Sequence, residues 1–179
     1  MLPGKLAELF GEMENARGET LAALSGLSEE EMRRAREGNW SAAQILYHIL
    51  MAEAGTSKVI RKAIKSAVGA LPPYPEDDSC LSVRKLSRPV GSFHAPEPVR
   101  PDDPPEKDGL MRLARETRER TATSFSMLAA VDPRAARFPH PLYGELDLYE
   151  WPSVTILMHE RDHQNQLREL LDHLREEPE

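Results

Sequence analysis

The stretch WPSVTILMHERDHQNQLRELLDHL, residues 151–174, combines a long amphipathic pattern with two histidines four residues apart. On an α-helix, His159 and His163 project from one face about one turn apart, which is a spacing that chelates metal ions. The same residues spell H-E-x-x-H, a motif of zinc proteases in which the glutamate is the general base. The stretch therefore predicts a long C-terminal helix that carries part of a metal site.

Three further segments repeat apolar residues at helical spacing, namely Leu2–Leu24, Ala42–Val68 and Gly109–Ala130. No stretch of useful length alternates in the way of a β-strand. Each helix has one apolar stripe, and a four-helix bundle is the natural way to bury four stripes. We expect an all-α fold in a single domain spanning residues 1–179, with the Arg and Glu runs of the first and third helices on solvated faces.

Two capping boxes mark helix starts between the first two long segments. Ser28 with Glu31 predicts a short connecting helix that ends near Gly38. Ser41 with Gln44 repeats the pattern and opens the second long helix.

A proline-rich segment follows the second long helix. Nine of the fifteen prolines fall between Gly69 and Asp108, without sustained periodicity. This composition predicts a long irregular crossover between the second and third long helices, with one short helix around Ser79–Leu86. A linker between two domains is the alternative, but neither flank contains more than two long helices, which is too few to close a core.

Composition restricts the class of protein. A formal charge of −7 without a basic stripe argues against nucleic acid as a partner. The single cysteine, Cys80, cannot form an internal disulfide, and there is neither a signal-like start nor a long uncharged apolar run. We therefore expect a cytoplasmic protein without membrane contact, in which Cys80 is an ordinary surface thiol.

The H-E-x-x-H helix lacks the surroundings of a zinc protease. Such proteases need a third ligand downstream, and Gln166 and Glu169 take the places of the glycine and histidine that would supply it. His48 is the only histidine on the inner stripe of another long helix. We therefore predict a divalent metal ion held by His48, His159 and His163, with a coordination position open for water or substrate. Zinc and nickel suit these ligands, and iron or cobalt also fit.

The two tryptophans predict how the helices are arranged. Trp40 precedes His48 by eight residues, and Trp151 precedes His159 by eight. Equal depth predicts that the second and fourth helices run parallel in an up-down-up-down bundle, with the metal near one end. Two helix N-termini at that end would favour an anionic or thiolate substrate. The rim of the pocket would then consist of Trp40, His140, Tyr143 and Trp151.

Glu160 falls in the inward arc of the fourth helix, between Leu167 and Leu171 on the helical wheel. A carboxylate in an apolar arc requires a partner. We predict that Glu160 either holds the N–H of a ligating imidazole or acts as an acid or base on metal-bound water.

Four parts of the sequence are informative when they are taken together. They are the N-terminal amphipathic helix, NWSAAQILYHILMAE (39–53), HPLYG (140–144) and MHERDHQNQLREL (158–170). Together they resemble the DinB-like superfamily of metal-binding four-helix bundles, relatives of bacterial thiol-dependent S-transferases and mycothiol-dependent isomerases. The resemblance covers nearly the whole chain except the proline-rich crossover. It implies one divalent metal, often nickel or zinc, on one histidine of the second helix and two of the last, which match His48, His159 and His163.

The resemblance also implies an activity. Family members with assigned activities use a small cellular thiol as cosubstrate, and the metal stabilises its thiolate. We therefore expect a metal-dependent, thiol-dependent transferase or hydrolase that acts on a small molecule. The alternative is a non-catalytic bundle that binds a metal or a small ligand. The resemblance implies a homodimer as well, and it implies no contact with DNA.

Overall fold

The computed structural model describes residues 1–67, 69–84, 86 and 95–176. Its helices and strands are α1 (Gly4–Ser25), α2 (Glu29–Arg33), α3 (Ala42–Ser66), α4 (Lys107–Leu128), β1 (Arg137–His140), β2 (Gly144–Asp147), α5 (Glu150–Pro152) and α6 (His159–Glu176). A π-helix, Ser153–Met158, joins α5 to α6, so residues 150–176 form one continuous helix. Short 3-10 turns lie at Glu97–Val99 and Pro133–Ala135.

The predicted all-α four-helix bundle is confirmed, with helix ends shifted by a few residues. Val68, where the second long helix was expected to end, lies outside the described residues. Both capping boxes form, since Ser28 and Ser41 each accept the N–H of the residue three positions later. Among the described residues, none of the helices is both long enough and apolar enough to cross a bilayer.

The helices run in the order up-down-down-up, and the predicted up-down-up-down order is wrong. One end of the core combines the start of α1, the ends of α3 and α4 and the start of the last helix: Leu6, Ile60, Phe125 and Ile156. The other end combines the opposite termini: Leu24, Leu46, Leu110 and Leu171. Consequently α3 and α4 are parallel to each other, and α6 is antiparallel to α3.

The proline-rich crossover explains this order. Soon after the crossover leaves α3, Asp78 accepts the N–H of Lys5 at 2.7 Å, at the start of α1. Where the crossover enters α4, Lys107 Nζ donates to the Ser25 carbonyl at 2.9 Å, at the end of α1. The two ends of the crossover therefore lie at opposite ends of the bundle, separated by about 37 Å for a helix the length of α3. A short loop would have made α3 and α4 antiparallel neighbours.

Among the described residues 79–84 and 86, the short helix predicted at Ser79–Leu86 is not present. Ser79 and Cys80 form a turn, and residues 81–84 and 86 are irregular, while Lys85 lies outside the described residues.

A β-hairpin precedes the last helix, although no strand was predicted. β1 pairs antiparallel with β2, from Arg137 opposite Asp147 to His140 opposite Gly144. Gly144, with a φ of 68°, closes the three-residue loop in a left-handed conformation that favours glycine. The strands are only four residues long and contain no β-branched residue, so their periodicity is too weak to detect.

Candidate metal centre

Three histidines converge across the interface between α3 and α6. His48 Nε2 lies 3.0 Å from His159 Nε2, and His163 Nε2 lies 3.2 Å from the same atom. Ligand atoms of all three residues lie within 4.8 Å of one another. Nitrogens bound about 2.0–2.1 Å from a tetrahedral ion are about 3.3 Å apart, so these separations fit one shared metal ion.

The outer nitrogens of two of these rings contact oxygen acceptors. His48 Nδ1 lies 2.6 Å from the Val99 carbonyl oxygen, and His163 Nδ1 lies 2.8 Å from Gln166 Oε1. Because these oxygens can only accept, we assign the ring proton to Nδ1 in both histidines, so that each Nε2 directs a lone pair toward His159. His159 Nε2 carries at most one proton, so it can donate to only one of these two lone pairs. A cation shared by the three nitrogens would remove the repulsion between His159 Nε2 and the other lone pair.

His48 is suited to metal binding because it stays neutral. Its side chain is buried, and this burial lowers its pKa to about 4. The hydrogen bond to Val99 opposes this shift, and the neighbouring His163 adds to it. At neutral pH the ring therefore carries no proton on Nε2, which is the form that ligates metals.

The triad forms although α3 and α6 are antiparallel. The Oγ1 atoms of Thr56 and Thr155 lie 2.6 Å apart toward the C-terminal end of α3. Eight residues back along α3 from Thr56 is His48, and eight residues forward along the last helix from Thr155 is His163. Antiparallel packing thus brings the histidines together, and the argument from equal depth beneath two N-termini is wrong.

The four residues predicted to form one rim lie in two different places. Trp40 packs on the triad, with ring centroids 4.8 Å from His48 and 6.0 Å from His163. His140, in contrast, packs against Tyr143 and Trp151 beside the hairpin, at centroid distances of 5.0 and 4.9 Å. Because α3 and the last helix begin at opposite ends of the bundle, Trp40 and Trp151 cannot close the same end. The two helix dipoles expected at a common mouth are separated for the same reason.

A second group of aromatic residues therefore surrounds His140. Leu142 N–H donates to His140 Nδ1 at 3.1 Å, and Trp151 Nε1 donates to the Phe138 carbonyl at 3.3 Å. Burial lowers the pKa of His140. These contacts tie the hairpin to the start of the last helix.

The π-helix immediately before His159 was not predicted. Ser153 Oγ donates to the Tyr149 carbonyl at 2.7 Å, and Thr155 Oγ1 donates to the Trp151 carbonyl at 2.5 Å. Pro152 has no N–H to contribute to the helix. A proline followed by two hydroxyl residues that bond four residues back is the sequence signal that could have indicated it. Such π-helical turns frequently occur at functional sites.

The partner of Glu160 is an arginine. The Glu160 side chain is fully buried, and its two oxygens accept hydrogen bonds from Arg17 Nε at 2.7 Å and Arg17 Nη2 at 3.1 Å. A second arginine, Arg118, places its Nη2 atom 3.7 Å from the Glu160 carboxylate. Glu160 therefore belongs to a buried ion network beside the triad.

The same network corrects the assignment of two arginines to solvated faces. Arg17 of α1 and Arg118 of α4 are only 5% and 8% exposed. Both approach Glu53 of α3, Arg17 Nη2 at 2.8 Å and Arg118 Nε at 3.1 Å. A signal was present in the sequence, because Arg17 follows Met13 by four residues on the apolar stripe of α1.

Comparisons with known proteins agree with this architecture. A family model described as the DinB superfamily matches residues 12–167. Among solved structures, the crystal structure of TT2238, a four-helix bundle protein, aligns with a TM-score of 0.63 and 20% sequence identity. That alignment covers 92% of this chain and 98% of the other, and at such identity it concerns the fold alone. The search of curated proteins found no match.

Proposed function

The chain belongs to the DinB superfamily, and from this membership we propose that it binds a divalent metal ion through His48, His159 and His163. The observation that carries the proposal is the convergence of the three imidazoles, with Nε2 atoms 3.0 and 3.2 Å apart. Zinc and nickel are the proposed metals because neutral imidazole suits both. A bound ion would supply Lewis acidity toward a water or thiol ligand.

We propose further that the protein is a metal-dependent, thiol-dependent transferase or hydrolase of small molecules. Three protein ligands leave a coordination position for a thiol or water, as in catalytic rather than structural metal sites. Val99 and Gln166 would hold the rings of His48 and His163 in the orientation that ligation requires. Trp40 would cover one side of the site with an apolar surface. The assisting role of Glu160 stays a prediction, and Arg17, which binds both of its oxygens, would compete with it.

The alternative is a non-catalytic bundle that binds a metal or a small ligand. One observation favours it, which is that the crossover covers the His48 side of the triad. The 3-10 turn Glu97–Val99 contacts α3, and its Val99 carbonyl accepts a hydrogen bond from His48, which is only 5% exposed, whereas His159 and His163 are half-buried. A site covered on this side is less accessible to a substrate than an open cleft.

Metal analysis of protein expressed without a histidine tag tests the metal site. We expect close to one zinc or nickel ion per chain, and its loss in His159→Ala. His173→Ala is the matched control, since it removes another histidine of α6 and should leave the metal content unchanged. Wild-type protein without divalent metal, even after addition of zinc or nickel, would show that the three-histidine proposal is wrong.

Turnover distinguishes the enzyme from the non-catalytic alternative. Metal-loaded protein is mixed with a small thiol and a model electrophile, and conjugation is followed by absorbance. The transferase proposal requires a rate above the uncatalysed reaction that disappears in His48→Ala. Metal binding without turnover on any small thiol would favour the alternative.

We retain two further proposals from the sequence. The single cysteine and the acidic composition are consistent with a cytoplasmic protein acting on a small-molecule substrate. The family resemblance suggests a homodimer, which sedimentation of the tag-free protein would test.

A further inference from the structure

Four charged side chains meet inside the bundle, one from each long helix: Arg17, Glu53, Arg118 and Glu160. None is more than 8% exposed. Their formal charges cancel, and Thr121 Oγ1 adds a hydrogen bond to Glu53 at 2.8 Å. In some proteins, buried charges of this kind select one arrangement of the helices and add little to stability.

Arg17 occupies a distinct place in this group because it forms hydrogen bonds to both of the helices that carry the histidine triad. Its Nε and Nη2 atoms bind both oxygens of Glu160, at 2.7 and 3.1 Å. Nη2 also donates to Glu53 at 2.8 Å. Glu160 follows His159 directly, and Glu53 lies five residues after His48 on α3. One guanidinium therefore connects α3 and α6 within about two turns of each imidazole.

The geometry of these bonds differs from that of the surrounding apolar contacts. Packing between leucine side chains is non-directional, so it permits small rotations and shifts of one helix against another. A bidentate guanidinium–carboxylate pair has a fixed planar geometry and resists both movements. Three imidazole nitrogens must be placed within a few tenths of an ångström to share one ion, and apolar packing alone does not ensure this.

We propose that Arg17 is a positioning residue for the histidine triad. By holding Glu160 and Glu53 together, it sets the separation and rotation of α3 and α6, and so the convergence of His48 with His159 and His163. The inference rests on the proposed function in so far as the triad binds a metal. The inference concerns the relative positions of the imidazoles, which can also be measured in the metal-free protein.

Arg118 provides the matched control. It is buried in the same network and also lies near both carboxylates, but its contacts are longer, 3.1 Å to Glu53 and 3.7 Å to Glu160. It also reaches the half-exposed Glu14 at 3.3 Å. If the network only stabilised the fold, Arg17→Lys and Arg118→Lys would have the same effect on the histidine triad after correction for their losses of stability. The positioning role requires a specific effect of Arg17→Lys.

The experiment measures cobalt(II) affinity and absorption spectrum, together with the imidazole ¹⁵N shifts of the metal-free protein. We expect Arg17→Lys to weaken cobalt binding by about tenfold or more and to shift the His48 and His163 resonances. Arg118→Lys should change affinity by less than about threefold and leave both resonances in place. If Arg17→Lys does not fold, Glu160→Gln, which keeps the side-chain volume, replaces it in the same comparison.

Two results are distinguishable. If wild-type protein binds no cobalt, the proposed function fails, and the ¹⁵N shifts alone then decide whether Arg17 positions the imidazoles. If cobalt binds, and Arg17→Lys matches Arg118→Lys in both affinity and shifts, the positioning role is overturned while the metal site stands.

Discussion

Replacing Glu53 by glutamine should destabilise the protein strongly. The carboxylate accepts from Arg17 Nη2 at 2.8 Å and Thr121 Oγ1 at 2.8 Å, and Arg118 Nε lies 3.1 Å away. Glu53→Gln keeps the volume but leaves two buried arginines facing one buried carboxylate, that of Glu160. Removal of one partner from a buried ion pair costs about 3–5 kcal/mol. This is a large share of the roughly 5–15 kcal/mol that stabilises an ordinary domain.

Urea unfolding followed by far-UV circular dichroism measures this loss. With a denaturant dependence of about 2–3 kcal/mol per molar, the midpoint should fall by roughly 1.5 M. Glu14→Gln is the control, because Glu14 contacts the same Arg118 at 3.3 Å but its side chain is 50% exposed. An exposed pair contributes about 0–1 kcal/mol, so this midpoint should move by less than about 0.5 M. Equal midpoints for the two variants would refute the reasoning that the network is buried and mutually dependent.

Three further predictions concern the fold. In a Cys80→Ser background, Thr56→Cys with Thr155→Cys should form a disulfide on mild oxidation, because the two hydroxyls lie 2.6 Å apart in the antiparallel pair. Phe125→Ala should lower the free energy of unfolding by about 3–5 kcal/mol, measured by urea denaturation, because the ring is fully buried. Ser41→Ala should cost about 1 kcal/mol in the same assay, because it removes the capping box of α3.

Each of these has its own control. Thr56→Cys with Arg168→Cys, thirteen residues beyond Thr155 along the last helix, should not form a crosslink, and its formation would contradict the antiparallel order. Phe125→Leu should lose less than half as much stability as Phe125→Ala, since a smaller cavity remains. Ser126→Ala removes an exposed hydroxyl within α4 and should change stability by less than about 0.5 kcal/mol. A loss as large as that of Ser41→Ala would show that the capping interaction is not its cause.

Much of the fold was predictable because it depends on interactions between residues near one another in the chain. Apolar spacing located the four long helices, and capping boxes located the starts of α2 and α3. The convergence of the predicted ligands was also anticipated, since His159 and His163 share one helix face and His48 lies on the inner stripe of another. The helices and the pairing of His159 with His163 follow from the helical period and the capping residues, which are local in the chain.

The sequence by itself therefore determined which faces are buried, but not the direction in which neighbouring helices run. A stripe with a period of 3.6 residues looks the same in either direction. The equal spacing from Trp40 to His48 and from Trp151 to His159 therefore did not show that the two helices are antiparallel. Only the tertiary structure decided that the crossover begins and ends at opposite ends of the bundle, so that α3 and α4 are parallel, and that α6 is antiparallel to α3. It also decided that Glu160 meets Arg17, because which carboxylate meets which guanidinium depends on contacts between residues 143 positions apart in the chain.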